Sequence, residues 1–143
     1  MRLGIAAVLA LLVVSASASV RQGANGVWNP PAGSYCGTSG DKAMSLRFDF
    51  DATTQSANVT LASFGQAFPT CVGETWTFDP TTGCTVFPVM NRPLHSSPDC
   101  MVDQLQLVWI TKFNLTFTAP TQSGAAPGMV LADNGYTMSL ARC

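Results

Sequence analysis

The side chains that could transfer protons or attack a substrate are few in this 143-residue chain, which has a single histidine, His95. Ser96, Ser97 and Asp99 follow it closely and suggest a serine hydrolase. Such a triad needs a serine bonded to histidine with a carboxylate behind it, and its members normally come from distant parts of the chain. The chain also lacks a G-x-S-x-G motif. We therefore interpret this proline-flanked segment as a polar surface loop.

Paired carboxylates are the second chemistry to consider, because glycoside hydrolysis uses two acidic side chains that face one cleft. Glu74 is the only glutamate. Asp49 and Asp51 share one strand face by their spacing, but they flank a predicted turn. We interpret both as exposed polar residues. The sequence thus predicts no catalytic residues, no enzyme activity and no cofactor.

Five cysteines could bind metal or form disulfides. The chain has no C-x-x-C motif and one histidine, which argues against a zinc site, so we expect no bound metal. Cysteines of a secreted chain are disulfide candidates first. We expect Cys36 and Cys143 to join the first and last strands. One pair among Cys71, Cys84 and Cys100 would then close a local loop, leaving one cysteine unpaired or bonded to a second chain.

The first 18 residues have the pattern of a secretory signal peptide. Arg2 precedes an apolar run, and Ala16-Ser17-Ala18 fits the cleavage rule. The run is too short to span a membrane, so we predict a secreted, extracellular product with one domain over residues 19–143 and no membrane span. Asn58 and Asn114 each begin an Asn-x-Thr glycosylation motif.

The overall composition excludes several classes of protein. Hydrophobic residues make up 47% of the chain and charged residues 10%, with a net charge of -1. Disordered chains combine low hydrophobicity with high charge, and coiled coils carry charge beside their apolar seam. Nucleic-acid-binding proteins carry an excess of basic residues. None of these classes fits this composition, and we expect no nucleic-acid partner.

Alternation of apolar and polar residues predicts an all-β fold. It is clearest over residues 44–50, 57–63, 110–118 and 136–142, with turn residues between these segments. One short helix is expected near residues 99–108, because Asp99 can cap it. Strands joined by hairpins predict an antiparallel meander, which must hide its edges. We favour closure into a small β-barrel over a β-sandwich.

Aromatic side chains supply most of the candidate ligand contacts. Several fall on the apolar phase of the predicted strands, where core packing is their simplest role. Because ligand pockets are mostly apolar and aromatic, the same residues are candidates to line a cavity. They are Phe48, Phe50, Trp76, Phe78, Trp109, Phe113 and Phe117.

The two ends of the chain resemble the lipocalin-like (calycin) β-barrels. Gly33-Ser34-Tyr35 opens the first strand and Arg142 ends the last. Barrels of that superfamily open with Gly-x-Trp and place a late arginine over the aromatic ring, a cation–π contact that closes the barrel. The resemblance implies that Tyr35 and Arg142 form the barrel-closing pair and that the barrel holds a small apolar ligand. Tyr35 stands where tryptophan is usual, and the match covers the chain ends only.

Three functions are compatible with these observations. The first is a secreted, non-enzymatic glycoprotein that binds a small apolar ligand or a protein partner. The second is a self-assembling extracellular structural or surface-coat subunit, joined as a homo-oligomer through the unpaired cysteine. The third and least favoured is a small hydrolase or a protease inhibitor, since the turn at residues 79–83 resembles one loop of the chagasin-type inhibitors while a second loop of that family is missing.

Overall fold

The computed structural model describes residues 26–91, 99–119, 127–133 and 135–143. The predicted signal peptide and the segment with His95, Ser96 and Ser97 lie outside these residues. Ten strands and one α-helix follow in chain order: β1 (Gly33–Thr38), β2 (Met44–Asp51), β3 (Ser56–Ser63), β4 (Gln66–Ala67), β5 (Cys71–Thr75), β6 (Thr77–Asp79), β7 (Cys84–Val86), α1 (Cys100–Gln106), β8 (Asn114–Thr118), β9 (Gly128–Asp133) and β10 (Tyr136–Arg142).

All ten strands belong to one antiparallel sheet that curls into an open half-barrel. The strands run in the order β4-β3-β2-β1-β10-β9-β8-β7-β6, and β5 pairs with β3. The all-β prediction is therefore confirmed, whereas the closed barrel is wrong, and a single sheet is not a sandwich either. The ladder stays open because β5 pairs only with β3 and β6 only with β7. Trp76 is the one residue between β5 and β6. The two ends of the sheet are therefore adjacent along the chain, but no strand pairing joins them.

The core lies on the concave face of this sheet, as the alternating pattern requires. Along β2, Met44, Leu46, Phe48 and Phe50 are buried while the residues between them are more exposed. Their neighbours on β3, β8, β9 and β10 fill the same space. Burial of one face of every long strand fixes the register, since a slip of one residue would expose the whole apolar set.

Helix α1 packs against β3 and β5. Asp99 caps it, with its carboxylate accepting hydrogen bonds from the backbone N–H groups of Met101 and Val102, at 3.1 and 3.2 Å. Met101 and Leu105 are buried against the core. This confirms the predicted short helix and its cap. Among the described residues, no helix is long and apolar enough to cross a membrane.

Two disulfides tie the fold together. Cys36 bonds to Cys143, which joins β1 to the chain end after β10 as predicted. Cys71 bonds to Cys100 and fastens α1 to β5. Cys84 is the cysteine that remains free.

One end of the half-barrel is filled by side chains. Trp28 stacks on Phe117 with a centroid separation of 5.3 Å, and a Cβ atom on Gly83 would lie 2.9 Å from its ring. Tyr35 and Arg142 are direct cross-strand neighbours near the same end. Arg142 also donates a 3.1 Å hydrogen bond to the carbonyl of Ala32. Access to the interior from this end is therefore obstructed, and the opposite end, the mouth, becomes the place to search for a site.

Candidate functional site

The seven aromatic residues predicted to line a cavity are divided by the structure into two groups. Six of them pack into the interior, with ring centroids about 6 Å apart in pairs such as Phe48–Phe113 and Phe50–Trp76. Their rings fill space by contact with one another. Trp109 alone of the seven stands at the surface, with 89% of its area exposed.

Trp109 lies on the wall of a cleft of about 510 Å³ at the mouth of the half-barrel. This volume falls within the usual range for small-molecule sites, about 300–1,000 Å³, and barrel mouths are common places for them. Four connections meet there: β1–β2, β3–β4, α1–β8 and β9–β10. The residues that line the cleft are Ser39, Gly40, Asp41, Ala43, Met44, Ser63, Phe64, Leu107, Val108, Trp109, Ile110, Asp133 and Tyr136.

The backbone of Trp109 has an unusual conformation for so large a residue. After α1 the N–H of Ile110 bonds to the carbonyl of Leu105, and the N–H of Trp109 bonds to that of Gln106, both at 3.0 Å. This is the Schellman pattern of a helix end, whose left-handed position is usually glycine. Trp109 occupies that position with φ of 65°. The left-handed region costs an L-residue about 1–2 kcal/mol.

Phe64, which also lines the cleft, repeats this arrangement. It forms a two-residue turn with Gly65 between β3 and β4, and both residues have positive φ, 48° and 79°. Turns of this kind favour Asn-Gly, because the first position must also be left-handed. The Phe64 side chain is nevertheless 87% exposed. Two large aromatic residues thus occupy positions that suit glycine or asparagine, and neither ring contributes much to the core.

The floor and the remaining rim of the cleft are largely apolar. Met44 and Ile110 are buried at its base, whereas Leu107 and Tyr136 are exposed at its edge. The N–H of Phe64 bonds to the carbonyl of Ala43 at 2.6 Å and ties two of the four connections together. The exposed aromatic rings therefore stand on a fixed backbone frame.

Two carboxylates add negative charge to this apolar site. Asp41 accepts hydrogen bonds from the Ser39 hydroxyl and from the N–H of Ala43, and these bonds, the hydroxyl first, lower the pKa of its carboxyl group. Asp133 differs because only 9% of its surface is exposed and its buried Oδ1 atom has no hydrogen-bond partner in the part of the chain that the structure describes. Among the described residues that line the cleft, two are acidic and none is basic.

Glu74 lies away from this cleft, beside the start of α1. Burial, reinforced by the nearby charge of Asp99, raises the pKa of Glu74 above its ordinary value. Its carboxylate is also close to the sulfurs of Cys71 and Cys100, a grouping that resembles a metal site. Those sulfurs are bonded to each other, so the disulfide accounts for the grouping.

The predicted modification sites lie on the outside of the sheet. Asn58 and Asn114 are both exposed. The side-chain oxygen of Asn58 accepts a 3.1 Å hydrogen bond from the N–H of Gly73 on β5. Cys84 is half-buried on β7, on the opposite face from the buried Thr85.

Sequence reasoning missed most of the cleft. Phe64, Leu107, Asp133 and Tyr136 were not predicted as site residues, because each lies at a strand or helix end where alternation stops. One usable signal was Phe64-Gly65 in a hairpin turn, since phenylalanine is an unusual residue for a left-handed position.

Comparison with known proteins finds no matching family model, no matching curated protein and no matching solved structure. The resemblance of the chain ends to lipocalin-like barrels therefore stays a prediction.

Proposed function

We propose that this protein is a secreted, non-enzymatic binding domain that holds a small apolar ligand in the cleft at the mouth of the half-barrel. The observation that carries the proposal is the placement of Phe64 and Trp109. Both rings are almost fully exposed and line the same cleft, and both residues adopt the left-handed backbone conformation. Strained conformations persist where the surrounding structure enforces them, and they cluster at functional sites.

The stability of the fold does not explain why Phe64 and Trp109 stand at these left-handed positions. An exposed ring removes little apolar area from water, so neither side chain offsets the cost of its backbone conformation. A ligand between the rings would bury both of them. The fixed frame beneath them would reduce the ordering that binding requires, which favours affinity.

The ligand is better described as a small molecule than as a flat protein surface. The cleft is a concavity with the buried side chains of Met44 and Ile110 at its base. Secretion, glycosylation at Asn58 and Asn114 and a lipocalin-like role are parts of the same proposal. The two disulfides are compatible with an oxidising, extracellular environment.

Isothermal titration with octanol tests this proposal. The wild-type protein should bind octanol, and a variant with Phe64→Ser and Trp109→Gly should lose at least about tenfold in affinity, because it loses both walls of apolar contact. Val72→Ser is the matched control, since Val72 is 76% exposed on β5 but does not line the cleft. Absence of binding to the wild type, or equal losses in the variant and the control, would contradict the proposal.

A second candidate function, covalent self-assembly, rests on Cys84. Its thiol is free and lies on the outer face of β7. If self-assembly is the function, non-reducing electrophoresis should give a dimer that Cys84→Ser abolishes. A monomer at every concentration in sedimentation would exclude this candidate.

A further inference from the structure

The charge distribution of the cleft identifies the kind of ligand more closely. We propose that the ligand is an amphiphilic amine, whose apolar part lies between Phe64 and Trp109 and whose cationic nitrogen is bound by Asp133. This inference rests on the proposed function, because it concerns the same cleft.

Asp133 is the central observation. It is the last residue of β9 and pairs directly with Tyr136, the first residue of β10, so the two side chains lie on the same face of the hairpin. More than nine-tenths of Asp133 is buried, and its Oδ1 atom has no hydrogen-bond partner among the described residues. A buried carboxylate without a partner is costly, because desolvation of the charge is not compensated.

No cation of the described chain compensates this carboxylate. Lys112 lines an adjacent, more polar depression of about 480 Å³ that also reaches Asp133. It makes no ion pair with Asp133. Asp41 at the rim adds a second negative charge, because its hydrogen bonds hold the pKa of its carboxyl group low. Both charged side chains among the described lining residues are therefore acidic, which favours a cationic ligand over an anion such as a fatty acid.

The surrounding rings complete the recognition of a cation. Tyr136 and Trp109 both line the cleft with Asp133. Aromatic faces attract ammonium groups, and tryptophan does so most strongly. The Asp133 carboxylate and the two aromatic rings that share its cleft can bind an alkylammonium group. The apolar base of the cleft can bind the hydrocarbon chain of the same ligand.

Three probes of equal chain length separate this inference from the proposed function: octylamine, octanol and octanoate. At pH 7 octylamine is a cation, octanol is neutral and octanoate is an anion, since alkyl ammonium groups titrate near pH 10 and carboxyls near pH 4. The wild type should bind octylamine about ten- to a hundredfold more tightly than octanol, as expected for a charge-assisted hydrogen bond. Octanoate should bind most weakly.

The variant Asp133→Asn should remove the preference for octylamine, measured as the ratio of the octylamine and octanol affinities of the same variant. Asp103→Asn is the control, because it changes the net charge equally at an exposed site on α1. It should retain the preference for octylamine. Circular dichroism of both variants establishes that they are folded.

The outcomes of these titrations distinguish failure of the amine inference from failure of the proposed function. Binding of octanol without a preference for octylamine, or an unchanged preference in Asp133→Asn, would overturn the amine inference and leave the apolar cleft intact. Failure of both octanol and octylamine to bind would overturn the proposed function as well.

Discussion

Replacing Trp109 by glycine separates a role in binding from a role in folding. Trp109 is 89% exposed, so about 20 Å² of its apolar surface is buried, worth about 0.5 kcal/mol. Glycine adopts the left-handed conformation freely and relieves about 1–2 kcal/mol, but it loses about 0.5–1 kcal/mol through the greater freedom of the unfolded chain. These effects nearly cancel. We therefore expect the free energy of unfolding of Trp109→Gly to stay within about 1 kcal/mol of wild type.

Trp76 provides the matched control. It is 2% exposed and packs edge-on against Phe50 at a centroid distance of 5.7 Å. Trp76→Gly should lose at least about 3 kcal/mol, as is usual when a large core side chain is removed. Guanidinium unfolding followed by far-ultraviolet circular dichroism measures both variants without depending on tryptophan fluorescence. A loss of more than about 2 kcal/mol in Trp109→Gly would contradict this expectation, because the ring would then contribute substantially to the stability of the fold.

Three further predictions concern other parts of the molecule. Phe64→Asn should raise the free energy of unfolding by about 0.5–1 kcal/mol, because asparagine tolerates the left-handed position of the turn, and its octanol affinity should fall. The raised pKa of Glu74 means that its stabilising contribution exists below its ordinary value of 4.5 and is lost as pH rises through the raised value. Glu74→Gln should therefore unfold at a higher temperature than wild type at pH 7, with the difference disappearing near pH 4. Replacing Cys36 and Cys143 by serine should cost more in urea unfolding, about 5 kcal/mol, than removing the other disulfide, about 3.5 kcal/mol, because the sequence separations are 107 and 29 residues.

The sequence predicts the strands and the helix well where a long-range pattern exists. Alternation over residues 44–50 and 57–63 identified β2 and β3, because one face of each must be buried. Asp99 identified the start of α1. The expected Cys36–Cys143 disulfide is confirmed, and β1 pairs with β10, although the sheet does not close into the barrel that this bond was expected to accompany.

Closure of the sheet and the cleft could not be predicted in the same way. Strands as short as β4 and β5 carry too few residues for alternation to be evident, and how far a sheet curls depends on contacts between distant segments. The cleft forms where four connections meet, so its residues share no sequence pattern. Asp133 is buried by tertiary packing at the mouth, which no local sequence pattern indicates.

An NMR titration of the ¹⁵N-labelled protein with octanol and then with octylamine tests whether the cleft at the mouth is the binding site. Amide shifts should be confined to the mouth of the half-barrel, around residues 39–44, 63–66, 107–110 and 133–136. The opposite end, residues 51–55 and 79–83, should be unaffected. Shifts at that opposite end, shifts spread evenly over the sheet, or no shifts with either probe would contradict the assignment of the cleft as the binding site.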